Sequence, residues 1–193
     1  MPDLRRITDA RTLRALSHPV RIALIEALTV GGAMTATEVG EEIGETSTTC
    51  SFHLRQLAKY GLVEEAGGGK GRARPWRLAS TGMSIGANAD DPESEIAASA
   101  LARLFRDRAF ARYQAWQDTK SAYPREWREA ADDSSYLLYL TVEELAELSA
   151  EMSEMLLRRF YDRISDPSTR PEGSVPIELL VMSYPVEPPE QRK

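Results

Sequence analysis

The sequence predicts a mainly α-helical chain with a small amount of β structure, an α+β fold. Apolar residues recur at steps of three and four in several stretches, the period of an amphipathic helix, and capping residues or glycines stand where these stretches begin and end. Within residues 1–80, two short runs, 62–66 and 75–79, are typical of strands. The pattern of this part therefore predicts helices followed by a small β-hairpin.

The first two helices are expected over residues 8–16 and 19–29. Pro19 suits the first turn of the second helix, where a missing N–H costs no hydrogen bond. Its apolar residues repeat at helical spacing and predict one buried face, and Gly31 and Gly32 end it.

A helix-turn-helix is expected next. The run Thr35-Ala-Thr-Glu38 is a capping box, in which each side chain satisfies a backbone N–H of the other's turn, and it opens a third helix to about Ile43. After Gly44, Thr46 can cap a fourth helix over residues 47–60. Two helices joined by a short glycine turn form this motif.

The fourth helix has the side chains that a DNA-recognition helix needs. Small or hydrogen-bonding residues at its start can approach base edges and phosphates, while Cys50, Leu54 and Leu57 recur on the opposite face and are expected to pack inward. The predicted DNA-contacting residues of this helix are Ser47, Thr48, Thr49, Ser51, Phe52, His53, Arg55 and Gln56. Two alternatives stay open: the hydroxyls only cap the helix, and His53 only packs locally.

A basic, glycine-rich loop separates the two predicted strands. It runs Gly67-Gly-Gly-Lys-Gly-Arg-Ala-Arg74, so Lys70, Arg72 and Arg74 are expected to form a wing that contacts DNA phosphates. The alternative is a solvated surface hairpin. The charge distribution agrees with a DNA-binding N-terminal part: residues 1–79 hold 11 basic and 9 acidic residues, whereas the remainder holds 13 and 21.

These residues resemble a known family. Leu16-Ser-His-Pro-Val-Arg21, Ser51-Phe-His-Leu54, Leu57 and Tyr60-Gly-Leu-Val63, in this order, are similar to the ArsR-type winged-helix repressors of bacteria. The resemblance covers about 70 of 193 residues. It implies that the fourth helix lies in the major groove and that the hairpin reaches a neighbouring backbone or minor groove.

Metal sensing and catalysis are not expected. Metal-sensing members of this family carry cysteines in the third helix or histidine and acidic ligands on the dimer helix, and residues 35–44 contain no Cys or His. One cysteine and two histidines leave little for a metal site, and no nucleophile–base pair or phosphate loop is evident, so the sequence predicts no metal, no cofactor and no enzyme activity.

The C-terminal half begins, by expectation, with a linker over 81–92 and one long helix over 93–123. The helix carries an apolar stripe longer than one winged-helix domain is expected to cover. In the resembling repressors, the helix after the wing supplies the dimer interface. The predicted dimerisation residues are Leu101, Phe105, Ala109 and Tyr113. Packing against the chain's own C-terminal elements is the alternative.

The remaining elements are expected to be a short helix (124–131), a strand (135–140), a helix opened by the capping box at Thr141 and ending near Ile164, and a strand (175–184). This α/β region would be an effector pocket or a larger dimerisation platform. Its aromatic and methionine residues suit an apolar ligand, but such residues more often form a core.

Together these observations predict a cytoplasmic, homodimeric transcriptional regulator, a repressor by analogy, that binds a double-stranded DNA operator and has no membrane contact. Residues 1–80 would be the winged helix-turn-helix domain, 81–92 the linker, and 93–193 the dimerisation domain, with a small-molecule effector as a further candidate partner. The alternative is a winged-helix protein-interaction or scaffold module that does not bind DNA.

Overall fold

Four short helices form the framework of the N-terminal part. In the computed structural model, which describes residues 4–67, 74–80 and 82–188, they are α1 (Ala10–Leu16), α2 (Pro19–Gly31), α3 (Ala36–Ile43) and α4 (Ser47–Lys59). The ring Nδ1 of His18 accepts the Val20 N–H at the start of α2, and Gly32 ends α2 with a φ of 76°. The four predicted helices are confirmed, with ends shifted by one or two residues.

The α3–α4 junction is the predicted helix-turn-helix. Both hydrogen bonds of the capping box between Thr35 and Glu38 form, and Gly44 adopts a left-handed φ of 73° after α3. A Cβ on Gly40 would lie 2.7 Å from the carbonyl oxygen of Glu45, so glycine lets the turn pack directly against α3. Thr46 then caps α4.

Two strand pairs complete this part. Strands β2 (Val63–Glu65) and β3 (Trp76–Leu78) pair antiparallel, as predicted, and Met34 adds an isolated bridge to Trp76. Strands β1 (Leu4–Ile7) and β4 (Gly82–Ile85) pair in parallel. The second pair was not predicted, and β4 falls in the segment expected to be a linker. Its two strands lie about 75 residues apart in the sequence, so no local sequence pattern predicts their pairing.

The chain divides into two units, residues 1–108 with 160–176, and residues 109–159 with 177–193. The first unit contains the hydrophobic core, which joins α1, α2, α4 and the start of the long helix α5 (Pro92–Thr119). Leu13, Leu24, Leu54 and Leu57 are completely buried in this core. One face of helix α4 therefore packs against the hydrophobic core.

The second unit differs from the prediction. After α5, one turn of 3₁₀ helix at Lys120–Ala122 ends the expected long helix early, and α6 (Arg125–Ala130) and α7 (Val142–Ser165) follow. The predicted strands at 135–140 and 175–184 are wrong: neither segment has regular structure. A strand needs a neighbour for its backbone hydrogen bonds, and the described residues place none beside either segment. No helix in the described ranges is long and apolar enough to cross a membrane.

Candidate nucleic-acid interface

The outer face of α4 is a polar surface built from one helical stripe. Because a helix repeats every 3.6 residues, positions 47, 48, 51, 52 and 55 share a side. These positions line a shallow depression of about 350 Å³, and its residues are Ser47, Thr48, Ser51, Phe52 and Arg55. This face combines hydroxyls, one guanidinium and one exposed aromatic ring, which are groups that can contact phosphates, base edges and thymine methyls.

The inner face of α4 fixes this surface in place. Cys50, Leu54 and Leu57 are fully buried, as their spacing predicted. Burial, with the nearby charge of Glu45, raises the pKa of the Cys50 thiol, which therefore stays protonated. The interpretation of Cys50 as a small buried apolar residue is confirmed.

Three predicted contact residues, Thr49, His53 and Gln56, do not line the depression. The Thr49 hydroxyl is 2.9 Å from the Thr46 hydroxyl, and the Thr49 N–H donates to the same Thr46 oxygen at 3.1 Å, so Thr49 takes part in the cap of α4. Gln56 is half-buried. The structure thus brings five of the eight predicted α4 residues together and leaves the other three outside the depression.

His53 requires a correction, because it is buried and does not face the outer surface. Its ring lies 4.4 Å from the ring of His18, centroid to centroid, and its edge meets Phe52. Burial and the charges of His18 and Arg21 lower the pKa of His53, so the neutral ring is favoured. Position 53 follows Cys50 by three residues and therefore turns toward the core, so the alternative that His53 packs locally is favoured.

The C-terminal end of α4 is held by a residue that the sequence did not indicate. The Arg5 guanidinium donates to the carbonyl of Tyr60 at 2.8 Å and to the carbonyl of Gly61. A cation at the last carbonyls of a helix satisfies unpaired acceptors and favours the helix dipole. Arg5 lies more than 50 residues away in sequence, so no spacing pattern predicts it.

The wing is described only at its base. Lys70 and Arg72 lie outside the described residues. Arg74 donates to Glu65 at 2.7 Å, and Arg77 contacts Glu64 at 2.7 Å, each across the β2–β3 pair. The hydrogen bond to Glu65 raises the pKa of Arg74. Both cations are exposed, and a phosphate would have to compete with these carboxylates for them.

Three of the four predicted dimerisation residues are wholly or partly covered within the chain itself, whereas Tyr113 stays a prediction. Leu101 is completely buried in the core of its own unit, Phe105 packs against that core, and Ala109 is buried. The Tyr113 hydroxyl donates to Asp133 at 2.5 Å and accepts from Gln117. The expectation that one domain is too small to cover this stripe is therefore wrong for Leu101, because the start of α5 packs into the winged-helix core. No cluster of three or more metal-ligating side chains occurs in the ranges that the structure describes.

Comparisons with known proteins agree with this geometry. Residues 16–66 match the family model of a helix-turn-helix domain. A comparison with curated proteins gives no match.

Among solved structures, the chain is similar to the homodimeric winged helix-turn-helix DNA-binding domain of a possible ArsR-family transcriptional regulator from Mycobacterium bovis. That alignment has 24% identity, covers 57% of this chain and 78% of that one, and has a TM-score of 0.33. It is also similar to the transcriptional repressor BigR from Xylella fastidiosa, with 26% identity, coverage of 51% and 84%, and a TM-score of 0.32.

A third similar structure is the PcaV transcriptional regulator from Streptomyces coelicolor in complex with its natural ligand, with 18% identity, coverage of 75% and 74%, and a TM-score of 0.32. The family match spans only the segment that contains the capping box, the glycine turn, α4 and β2. Residues 16–66 of this chain therefore contain a helix-turn-helix domain, and the β2–β3 pair that follows α4 gives it the winged arrangement.

Proposed function

We propose that this chain is a homodimeric, sequence-specific transcriptional repressor that binds a partly palindromic DNA operator and is controlled by a non-metal effector. Residues 1–80 bind the DNA and residues 93–193 supply dimerisation. The observation that carries the proposal is the exposed stripe of α4, which lies on a helix held rigidly by its buried face. Two copies would insert two such helices into major grooves about one helical turn apart.

The division of labour within the DNA-binding surface follows from how firmly each group is held. Thr48 and Ser51 sit on a helix with a buried inner face, so they can present hydroxyls to bases in a fixed geometry. Arg74 stands at the base of the hairpin, and its exposed guanidinium can exchange Glu65 for a phosphate. We therefore assign base reading to α4 and phosphate neutralisation to the wing.

An apolar pocket in the first unit supports the effector part of the proposal. It measures about 300 Å³, and its walls include Leu16, Ile25, Leu78, Met83 and Phe105. These residues belong to α1, α2, β3, β4 and α5. A small apolar molecule bound there would contact both the support of the recognition helix and a strand of the wing hairpin, so its binding can be coupled to DNA affinity.

A second candidate is a winged-helix module that binds another protein. Phe52 is 55% exposed in the middle of the α4 face, and Arg74 and Arg77 are each paired with a carboxylate. An exposed aromatic ring with neutralised cations also suits a protein partner. Such a module would show no salt-sensitive binding to duplex DNA.

The test begins with selection of DNA by the purified full chain and continues with competition binding at three salt concentrations. Ser51→Ala and Thr48→Ala should reduce operator preference over random duplex, by about 1–3 kcal/mol for a good base contact, and leave the salt slope unchanged. Arg74→Ala should weaken binding to operator and to random duplex by the same factor, and should reduce the slope of log affinity against log salt concentration by about one.

Ser99→Ala and Arg103→Ala are the matched controls, because both residues are exposed on α5, away from the α4 face. Neither control should change affinity or slope. Loss of discrimination in Arg74→Ala alone would reverse the assigned roles. Unchanged binding in all three interface variants, Ser51→Ala, Thr48→Ala and Arg74→Ala, would remove the DNA-binding interpretation of this surface.

A further inference from the structure

The second unit exposes most of the chain's apolar surface. Of 22 large hydrophobic side chains that are exposed in the described residues, 17 belong to this unit. Six lie in 136–142, seven lie in 177–186, and the others are Phe110, Tyr123, Trp127 and Met155. We call these 17 side chains the C-terminal apolar surface. Within the described part of the unit, Ala109 is the one buried apolar residue, so the unit has no hydrophobic core of its own.

The area of this surface is that of a stable interface. Fully covering an aromatic side chain buries about 150–250 Å². The six aromatic members of the surface are between 38% and 78% exposed, so they alone offer on the order of 700 Å² by that measure. A standard interface buries about 800 Å² on each partner, and eleven aliphatic side chains add to the total. Monomeric proteins rarely leave so large an apolar area in water.

The apolar side of helix α7 is only partly covered. Leu145, Leu148, Met152 and Met155 recur at steps of three and four along one side; the first three are half-buried, Met155 is exposed, and no residue of the 24-residue helix is fully buried. Amphipathic helices of this length gain most of their stability from packing of the apolar face. The uncovered part of this stripe is therefore available to a further packing surface.

The charges of α7 are complementary to those of a second α7. All five of its glutamates lie between positions 143 and 154, and all three of its arginines lie between 158 and 163, where Asp162 leaves a net charge of +2. A parallel pair would place glutamates beside glutamates. An antiparallel pair places the acidic half of each helix beside the basic half of the other, and it also opposes the two helix dipoles favourably.

We propose that a second copy of this chain covers the C-terminal apolar surface, and that the two α7 helices pack antiparallel across a two-fold axis near their midpoints. A two-fold interface requires a self-complementary surface, and the division of α7 into an acidic and a basic half supplies that property. A unit without a hydrophobic core needs a permanent partner for stability, and a second copy of the same chain is always available. The inference rests on the homodimer of the proposed function, and it assigns the interface to residues other than Leu101.

Cysteine cross-linking of the full-length chain tests this arrangement. Met152 lies within two residues of the middle of α7, so its copies would meet near the axis. Leu145 is seven residues away, at the same heptad position, and its antiparallel copies would lie about 25 Å apart at ~1.5 Å per residue. Met152→Cys should therefore form a covalent dimer at least tenfold faster than Leu145→Cys under mild oxidation. The unmodified chain, in which Cys50 is buried, measures the background.

The outcomes separate this inference from the proposed function. Equal cross-linking of both variants would overturn the antiparallel arrangement. No cross-link from either, in a chain that light scattering shows to be a dimer, would move the interface elsewhere and leave the dimeric repressor intact. A monomeric chain that still binds DNA would remove the dimer from both proposals.

A second variant measures the same contact without a covalent bond. Met152→Glu should weaken the dimer at least tenfold in sedimentation equilibrium, while circular dichroism shows the helical content retained. An unchanged dimer in this variant would also overturn the inference.

Discussion

Replacing Leu101 by alanine is expected to destabilise the first unit itself, rather than only the dimer. The side chain is completely buried within its own unit, in the core cluster that includes Leu54 and Leu57. Deleting a buried leucine side chain costs about 2.7–5 kcal/mol, the sum of lost transfer free energy and the cavity left behind. The total free energy of unfolding of a domain of this size is about 5–15 kcal/mol, so the variant loses a large fraction of its stability.

Urea unfolding followed by tryptophan fluorescence measures the effect. With a slope of about 1–3 kcal/mol per molar urea, the midpoint should fall by at least about 1 M, and the thermal midpoint should fall by on the order of 10 °C. Ile96→Ala on the same helix is the control, because Ile96 is 71% exposed and its loss should change stability by less than about 0.5 kcal/mol.

Protein concentration distinguishes a core residue from an interface residue. If Leu101 packs in the core, the loss persists at every protein concentration. If it packs against a second copy, the loss disappears when the protein is concentrated well above its dimer dissociation constant. A destabilisation that vanishes on concentration would refute the assignment of Leu101 to the core.

Three further predictions concern the helix-turn-helix. Gly44→Ala should lower the free energy of unfolding by about 1–2 kcal/mol, because a side chain at a φ of 73° is strained even though no atom lies within 4 Å of the added Cβ. Gly44→Asn should recover part of this loss in urea unfolding. An equal loss in both variants would contradict a purely conformational cause. Arg5→Gln removes two hydrogen bonds to the carbonyls of Tyr60 and Gly61, immediately after α4, so it should cost about 1–3 kcal/mol and speed amide exchange in the last turn of α4. Unchanged exchange there would exclude a capping role. Stability should fall as pH is lowered from 7 to 5, because burial and the charges of His18 and Arg21 lower the pKa of His53 in the folded chain, and the unfolded chain therefore binds the proton first. Urea midpoints at pH 7, 6 and 5 measure this fall, and His53→Gln should make it smaller. An equal fall in the variant would assign the pH dependence to other groups.

The local signals in the sequence were sufficient for the helix-turn-helix. The capping box at Thr35, the cap at Thr46 and the left-handed glycine at Gly44 each act within four residues of their partners. Such short-range interactions are readable without knowledge of the fold. The inward face of α4, with Cys50 and Leu54, was readable for the same reason, because a helix repeats regularly.

The exposed face of α4 was predicted in part. Ser47, Thr48, Ser51, Phe52 and Arg55 share the predicted surface. For His53 the sequence left two alternatives, a phosphate contact and local packing, and its burial favours local packing. Its ring contacts His18, which precedes α2, and a periodic pattern cannot predict a contact between different elements.

The second unit shows where strand propensity fails. Residues 135–140 and 175–184 have the composition of strands, but β structure is completed by hydrogen bonds to a neighbouring strand, and the chain places none beside them. The pair β1–β4 is the opposite case, since it forms from segments about 75 residues apart with little local indication.

The sequence by itself determined the elements of the N-terminal domain, the caps that bound them and the polar stripe of α4, because these depend on interactions between residues a few positions apart. Only the tertiary structure decided that Leu101 belongs to the core, that Arg5 holds the end of α4 and that β4 replaces part of the expected linker. Each of these depends on which distant segments meet. That choice is made by the burial of apolar surface over the whole chain, and no local window of the sequence contains it.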